Sequence, residues 1–367
     1  MPEINVFLSG DVMTGRGLDQ VMPHPGDPTL YERWVKSATE YVLLAEQRNG
    51  PIPRFVEPEY IWGDALAVLE DAGVSARIIN LETSVTDRGE PWPDKGIHYR
   101  MHPENVACIA AANIDCCVLA NNHVLDWSYP GLAQTLETLH QAGQATVGAG
   151  PDITDATRAF PIGPESGLRV LVIAVGVASS GIPGSWAALA GRPGIAFAES
   201  TTYSLVETIA SRVEKAAGPE DLVIISIHWG PNWGYQIPRS HQRFARSLID
   251  QAGVHVVHGH SSHHPLGIEV YRDRLILYGC GDLINDYEGI GGHEPYHPDL
   301  GALYLATLDT NGGRLVRLEV VPMLMRRFRL EHAPSEEVTW LSQSLSREGE
   351  RLGTRVYEQD SRLIVGW

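Results

Sequence analysis

The chain has 367 residues, 43% hydrophobic and 20% charged, a composition typical of a globular protein long enough to bury its own core. Its formal net charge of −17 is spread along the chain rather than gathered into a tail. Phosphate backbones are held by clustered Lys and Arg, so no nucleic-acid partner is expected.

Cys108, Cys116, Cys117 and Cys280 form no CxxC pair. Cys116 and Cys117 lie in an apolar run, so buried thiols are expected rather than a disulfide framework. The N-terminus, Met-Pro-Glu-Ile-Asn-Val-Phe, lacks a basic start followed by a long apolar stretch. No run approaches the roughly 18–20 apolar residues that span a bilayer. A cytoplasmic location without membrane insertion is the expectation.

In chain order, 4–9 reads as a strand ending at Gly10-Asp11, and 31–47 as a helix within a proline-rich stretch, 22–60, that looks like an insertion. That stretch reads equally as a lid or as surface padding. Residues 62–72 read as a helix and 76–80 as a strand running into Asn80-Leu81-Glu82. A helix at 105–112 precedes a strand, 116–120, ending in Asn121-Asn122-His123. Residues 129–142 carry apolar residues at helical spacing, and a loop begins at Gly148. The pattern then repeats. Strand 169–175, helix 201–217 and strand 222–227 lead to His228-Trp229-Gly230, and helix 240–252 and strand 255–258 lead to Gly259-His260. A hairpin is expected around Arg272-Asp273, then strands at 303–308 and 317–321. Strands alternating with helices predict an α/β fold, and the late hairpins predict a mixed sheet. Residues 1–330 are taken as one domain and 331–367 as a C-terminal extension packed on it.

Five apolar strands end in groups able to bind a metal: Asp11, Glu82, Asn122-His123, His228 and His260/His263. Ligands of open α/β sheets gather at the carboxyl ends of strands, so residues far apart in sequence can converge there. Taken singly, each has a plainer reading: Asp11 as a turn former, Asn121-Asn122 as turn residues, one strand-end His as a hydrogen-bonded structural group. Jointly they point to a metal site. Mixed oxygen and nitrogen donors suit Mn, Fe or Zn better than Ca. In the run His258-Gly-His-Ser-Ser-His-His264, His260 and His263 share a site if the serines turn, with His258 and His264 as bystanders. Gly279–Tyr287 reads equally as a glycine-rich turn or as a loop at the rim of the site. The aromatic segment 231–236 is either a substrate wall or a cover for the sheet edge, and Lys95 or Arg100 is a candidate beside the site.

Gly10-Asp11-Val12-Met13 with Arg16, Asn80-Leu81-Glu82-Thr83, Ala120-Asn121-Asn122-His123 with Asp126, His228-Trp229-Gly230, Gly259-His260-Ser-Ser-His263 and Gly267-Ile268-Glu269-Val270-Tyr271 occur in an order that resembles the CapA family. These are poly-γ-glutamate capsule synthesis proteins, grouped with the calcineurin-like metallophosphoesterases. The resemblance spans roughly residues 4–287 and implies a four-layer α/β/β/α sandwich with a metal site at one edge. It implies one or two divalent ions on Asp11, Glu82 as the bridging carboxylate, Asn122, His228, His260 and His263. It implies that His123 contacts the substrate and protonates the leaving group, with Asp126 orienting it, and that Arg16 clamps an anion.

Two departures from the typical metallophosphoesterase pattern stand out. Asp-x-His becomes Asp11-Val12-Met13, and Gly-His-x-His becomes Gly-His-x-x-His. The implied activity is a metal-dependent hydrolase in which an activated water attacks a phosphoester or a γ-glutamyl-type amide of a small-molecule or γ-glutamyl substrate. The alternative is a metal-containing accessory protein that binds an anionic polymer or assists a synthetase. Oligomeric state is left open.

Overall fold

A computed structural model of the chain describes residues 2–164 and 167–367. Its frame is a mixed α/β arrangement with two large sheets. The larger sheet runs Arg355–Gln359, Arg362–Gly366, Leu315–Arg326, Leu300–Asp309, Glu3–Val12, Ala76–Leu81, Cys116–Val118, Ala145–Val147. Its last four strands are parallel, and Asp282–Ile284 joins Glu3–Val12 as a further parallel neighbour. The second sheet runs Phe197–Ala198, Val170–Val177, Leu222–His228, Val256–His260, Arg274–Leu277, Ile268–Tyr271.

Strand periodicity of two assigns each face its own core. Val6, Leu8, Ile78 and Val118 share one apolar cluster with Val172, Ile224, Val256 and Leu277, so the two sheets pack on each other. The intervening residues Phe7, Ile79 and Cys117 pack with Val42, Val68, Leu69 and Leu132 of the helices Ala38–Asn49, Ala65–Asp71 and Ser128–Gln141. Across the second sheet, Ile173, Ile225 and Val257 meet Val206 and Ile209 of Tyr203–Ala216 and Phe244 and Leu248 of Arg239–Ala252. Each such large side chain contributes about 1.5–3 kcal/mol by leaving water. Cys116 and Cys117 thus face opposite cores, and all four thiols are free and buried, as expected.

Several elements differ from the sequence reading. The helix expected over 31–47 begins at Ala38, because Ser37 caps it and Glu40 reaches back to the Ser37 N–H (3.1 Å). Ala149–Gly150 is not a loop start but pairs with Gly194–Ile195. The hairpin at Arg272-Asp273 is present, and both residues adopt positive φ (49° and 58°), the geometry of a two-residue hairpin turn. A second hairpin of this kind, at Asp360-Ser361, attaches the last strands to the larger sheet. Helix Ser335–Gly349 places Val338, Leu341 and Leu345 in the cluster between the sheets. No helix among the described residues is long and apolar enough to cross a membrane.

One close approach sets the spacing of the strand ends. Gly10 lies so near Gly281 that an added Cβ would sit 1.6 Å from the Gly281 carbonyl oxygen, and Asp11 N–H donates to that oxygen (2.9 Å). Gly281 itself has φ +74°. Gly10→Ala is therefore expected to cost about 3 kcal/mol, the upper end of the usual overpacking penalty, read as a large fall in the thermal midpoint. A wild-type midpoint would show that the two backbones do not meet this closely.

Candidate metal centre

The parallel register brings the strand ends together. Asp11 pairs with Asp282, and His228 pairs with His260 on the facing sheet. Two groups of possible donors result: Asp11, His228 and His260, and Asp11, His263 and Asp282. Within each group the donor atoms lie within 4.8 Å of one another. Asp11 is common to both groups, and Glu82, the bridging carboxylate that the resemblance implies, belongs to neither. Glu82 lies beside them, its Oε1 3.9 Å from His228 Nε2 and 3.7 Å from His123 Nε2. Asn122 Oδ1 is 2.8 Å from His228 Nε2.

The extra residue in the Gly-His-x-x-His run is absorbed by Ser261, at φ +104°, whose hydroxyl donates to the Gly230 carbonyl (3.1 Å). His260 and His263 therefore fall in different groups around Asp11. His258 and His264 belong to neither. His258 bridges the sheets, with Nε2 2.6 Å from the Ser9 carbonyl and Nδ1 3.0 Å from Ser226 Oγ, and His264 Nε2 accepts from Gly234 N–H (3.1 Å).

The residues fit a divalent cation. Asp11 is fully buried; its Oδ1 accepts from Asn80 Nδ2 (2.7 Å), whereas its Oδ2 has no hydrogen-bond partner. An unpaired buried carboxylate oxygen is costly in a native fold. Burial pushes the Asp11 carboxyl up to about 7; the Glu82 carboxyl alongside it works against that rise, and Asp282 adds to it. Glu82 is driven well above the ordinary carboxylate range by burial and then by Asp11. His228 and His260 are pushed well below theirs by burial, which leaves neutral imidazoles, the form that coordinates metals. Their Nδ1 atoms stand 2.7 Å apart. His263 behaves differently. Burial lowers it, but the Asp282 carboxylate 2.8 Å away outweighs that and raises it. Asn232 Nδ2 lies 2.8 Å from its other ring nitrogen, and the Trp233 ring packs against it.

Beside this cluster stands a dyad. His123 Nδ1 is 2.6 Å from Asp126 Oδ2, which also accepts from Tyr99 N–H (2.7 Å). Lys95 lies 2.6 Å from Asp126 Oδ1 and 3.0 Å from His123 Nδ1. Burial brings His123 down to about 4; Asp126 stays below the usual carboxylate range because His123 and Lys95 outweigh its burial.

Arg16 requires a correction. It was expected to clamp an anionic substrate, but its guanidinium is buried and already engaged, held bidentately by Asp286 and by Glu32 (2.9 Å). Asp282 was missed as a donor, its loop having read equally as a turn. The available signal was the dipeptide Gly281-Asp282, which repeats Gly10-Asp11 in sequence and matches it in register. Asp282 also adds a donor beside Asp11, whose following residues Val12 and Met13 are fully buried. Arg100, the other candidate, lies over the Trp127 ring beside Asp27.

A model of the bacterial capsule synthesis protein family, PGA_cap, matches residues 5–287. The chain belongs to that family. A probable polyglutamine synthesis accessory protein of Mycobacterium tuberculosis is 45% identical over 98% of this chain and 95% of its own length. The PGA biosynthesis protein CapA of Bacillus subtilis is 24% identical over 77% of this chain and 63% of its own length. Among solved structures, a phosphatase from Mycoplasma pneumoniae aligns over 91% of this chain and 96% of its own, at 10% identity and a TM-score of 0.47. The resemblance that Asp11, Glu82, Asn122-His123, His228 and His260 carried in the sequence is thus a family membership. In this PGA_cap chain the same motifs supply the strand-end groups that converge on Asp11.

Crowded, buried carboxylates destabilise a metal-free fold. A carboxyl whose folded pKa is raised contributes stability that is fully present below its unfolded value and is lost as pH rises through the folded value. For Asp11 that window runs from about 4 to about 7. Asp11→Asn is expected to raise the thermal midpoint of chelator-treated protein at pH 8 and to abolish any rise on adding Mn²⁺ or Zn²⁺. A lower chelated midpoint with an intact metal response would contradict this reading of Asp11.

Proposed function

We propose that this chain is a metal-dependent hydrolase built as a four-layer α/β/β/α sandwich of the calcineurin-like metallophosphoesterase type. The 1–330 part carries the site, and 331–367 is built into the same domain, its helix in the core between the sheets and its last strands completing the larger sheet. The observation that carries this reading is the Asp11 carboxylate, whose buried Oδ2 lacks a partner and lies at the junction of two donor groups. Asp11, His228, His260, His263 and Asp282 would hold one or two divalent ions of the Mn, Fe or Zn class, with Glu82 and Asn122 against the His228 side. When bound, such ions polarise the bond under attack and make water a nucleophile near neutral pH.

The chain's own residues do the rest. Asp126 holds His123 by Nδ1–H, which fixes the ring and presents the unprotonated Nε2 of a neutral imidazole toward the cluster; Nε2 would take a proton from the attacking water, and the imidazolium so formed, held by Asp126, would pass that proton to the leaving group. Lys95 places a positive charge at the dyad and offsets the negative charge of a phosphoester or of a γ-glutamyl carboxylate. The substrate class proposed is a phosphoester or a γ-glutamyl-type amide, in keeping with the capsule and polyglutamate names of the relatives. The accessory role in the name of the Mycobacterium tuberculosis relative supports a second reading, in which the same centre binds an anionic polymer without turnover.

Metal-loaded protein assayed on p-nitrophenyl phosphate, on a p-nitrophenyl phosphodiester and on γ-glutamyl peptides separates the two. Turnover is expected on at least one class, and His123→Gln is expected to lower kcat by roughly 10²–10⁴-fold while metal content is kept. Bound metal with no turnover across the panel would establish the non-catalytic reading instead.

A further inference from the structure

Arg16 is held by a buried network that the proposed chemistry does not use. Its Nε (3.1 Å) and one terminal nitrogen hold the two oxygens of Asp286, and Gly17 N–H donates to the same carboxylate (2.9 Å). Its other terminal nitrogen holds Glu32 (2.9 Å), and the Tyr41 hydroxyl donates to Glu32 as well. The guanidinium lies between the Tyr41 and Tyr99 rings, 4.0 and 4.5 Å from their centroids. All five side chains are buried, and Arg16 keeps a left-handed backbone, φ +50°, that costs a non-glycine residue energy.

The network reaches both halves of the site. Asp286 is four residues beyond Asp282; between them Asn285 Nδ2 donates to Asp282 Oδ2 (3.0 Å), and Asn285 Oδ1 accepts from Tyr287 N–H (3.0 Å). The Tyr287 ring packs edge-on to His263, with centroids 5.5 Å apart. On the other side, the Tyr99 ring meets His123 edge-on at 4.6 Å, and the Tyr99 N–H holds Asp126. Glu32 and Tyr41 come from the 22–60 stretch, which as sequence reads equally as a lid or as padding.

We infer that Arg16 and Glu32 are positioning residues, and that the 22–60 segment acts as a strap that fixes the Asp282–Tyr287 loop and the Tyr99 arm so that His263, Asp282 and His123 keep a common geometry. A buried ion pair is poor evidence of stabilisation, since hydrophobic replacements often do as well. A pair kept at this position is better explained by the alignment it imposes. Outer partners of metal ligands orient those ligands, and their loss commonly costs 10–100-fold in affinity.

The positioning role rests on the Asp11 cluster being a metal centre, and the test separates the two. Mn²⁺ and Zn²⁺ affinities are measured by calorimetry on the full chain for wild type, Arg16→Lys and Glu32→Gln. Glu32→Gln keeps the shape and is the variant to rely on if Arg16→Lys folds poorly. The comparison is Glu269→Gln, which disturbs an equally buried carboxylate held by Arg246 (2.8 Å) and the Tyr278 hydroxyl (2.7 Å) on the second sheet. Glu32→Gln and Arg16→Lys are expected to weaken metal binding about 10–100-fold and to speed amide exchange over 282–288. Glu269→Gln is expected to leave metal affinity within about twofold at a similar loss of thermal midpoint. Equal affinities in Glu32→Gln and wild type overturn the positioning role while leaving the metal reading intact. A wild type that binds neither ion overturns both.

Discussion

The constraint on which the site depends is the close parallel approach of Gly10-Asp11 to Gly281-Asp282. Only glycine at position 10 lets the first strand lie against the Gly281 carbonyl, and that contact sets two buried carboxylates side by side. A carboxylate brought into an apolar interior has lost its water, and a neighbouring negative charge raises the penalty further. The fold accepts this where it also buries three imidazoles, kept neutral or ion-paired, within reach of the same oxygens. Such an arrangement is poor for stability and suited to a cation, the balance expected of a functional site.

The two packed sheets supply the rigidity this needs. His228 and His260 are in register on adjacent parallel strands of one sheet, and Asp11 and Asp282 are in register on the other. His258 fastens one sheet to the other through the Ser9 carbonyl, two residues before Asp11. A strand-end donor set on a well-packed frame keeps its geometry without help from mobile loops. The connection after Ile284 and the arm around Tyr99 lie outside the strands of the two large sheets, and there the Arg16 network adds its contacts.

Much of the site was legible because metal donors at the ends of apolar strands leave a local mark. Asp11, His228 and His260 each follow a hydrophobic run, and their convergence follows from the parallel order of the strands. Two things were not legible. The direction of the Arg16 side chain depends on Asp286 and Glu32, which are 270 and 16 residues away. A guanidinium near a motif reads the same whether it faces a ligand or two carboxylates of its own chain. Asp282 was hidden because its strand, Asp282–Ile284, is three residues long and gains its identity only by pairing with the first strand. The fold class was legible from the alternation of strands and helices. The Ala38 helix start and the Asp360-Ser361 hairpin were not, since capping by Ser37 and a non-glycine turn overrode the hydrophobic pattern.

The central claim is that the groups around Asp11 form a metal centre. Elemental analysis of the full chain, purified without chelator and without added metal, tests it most directly. A metal centre there predicts one to two equivalents of a first-row transition metal per chain, retained through gel filtration. Less than about a tenth of an equivalent, together with no uptake on dialysis against Mn²⁺, Fe²⁺ or Zn²⁺, would contradict it.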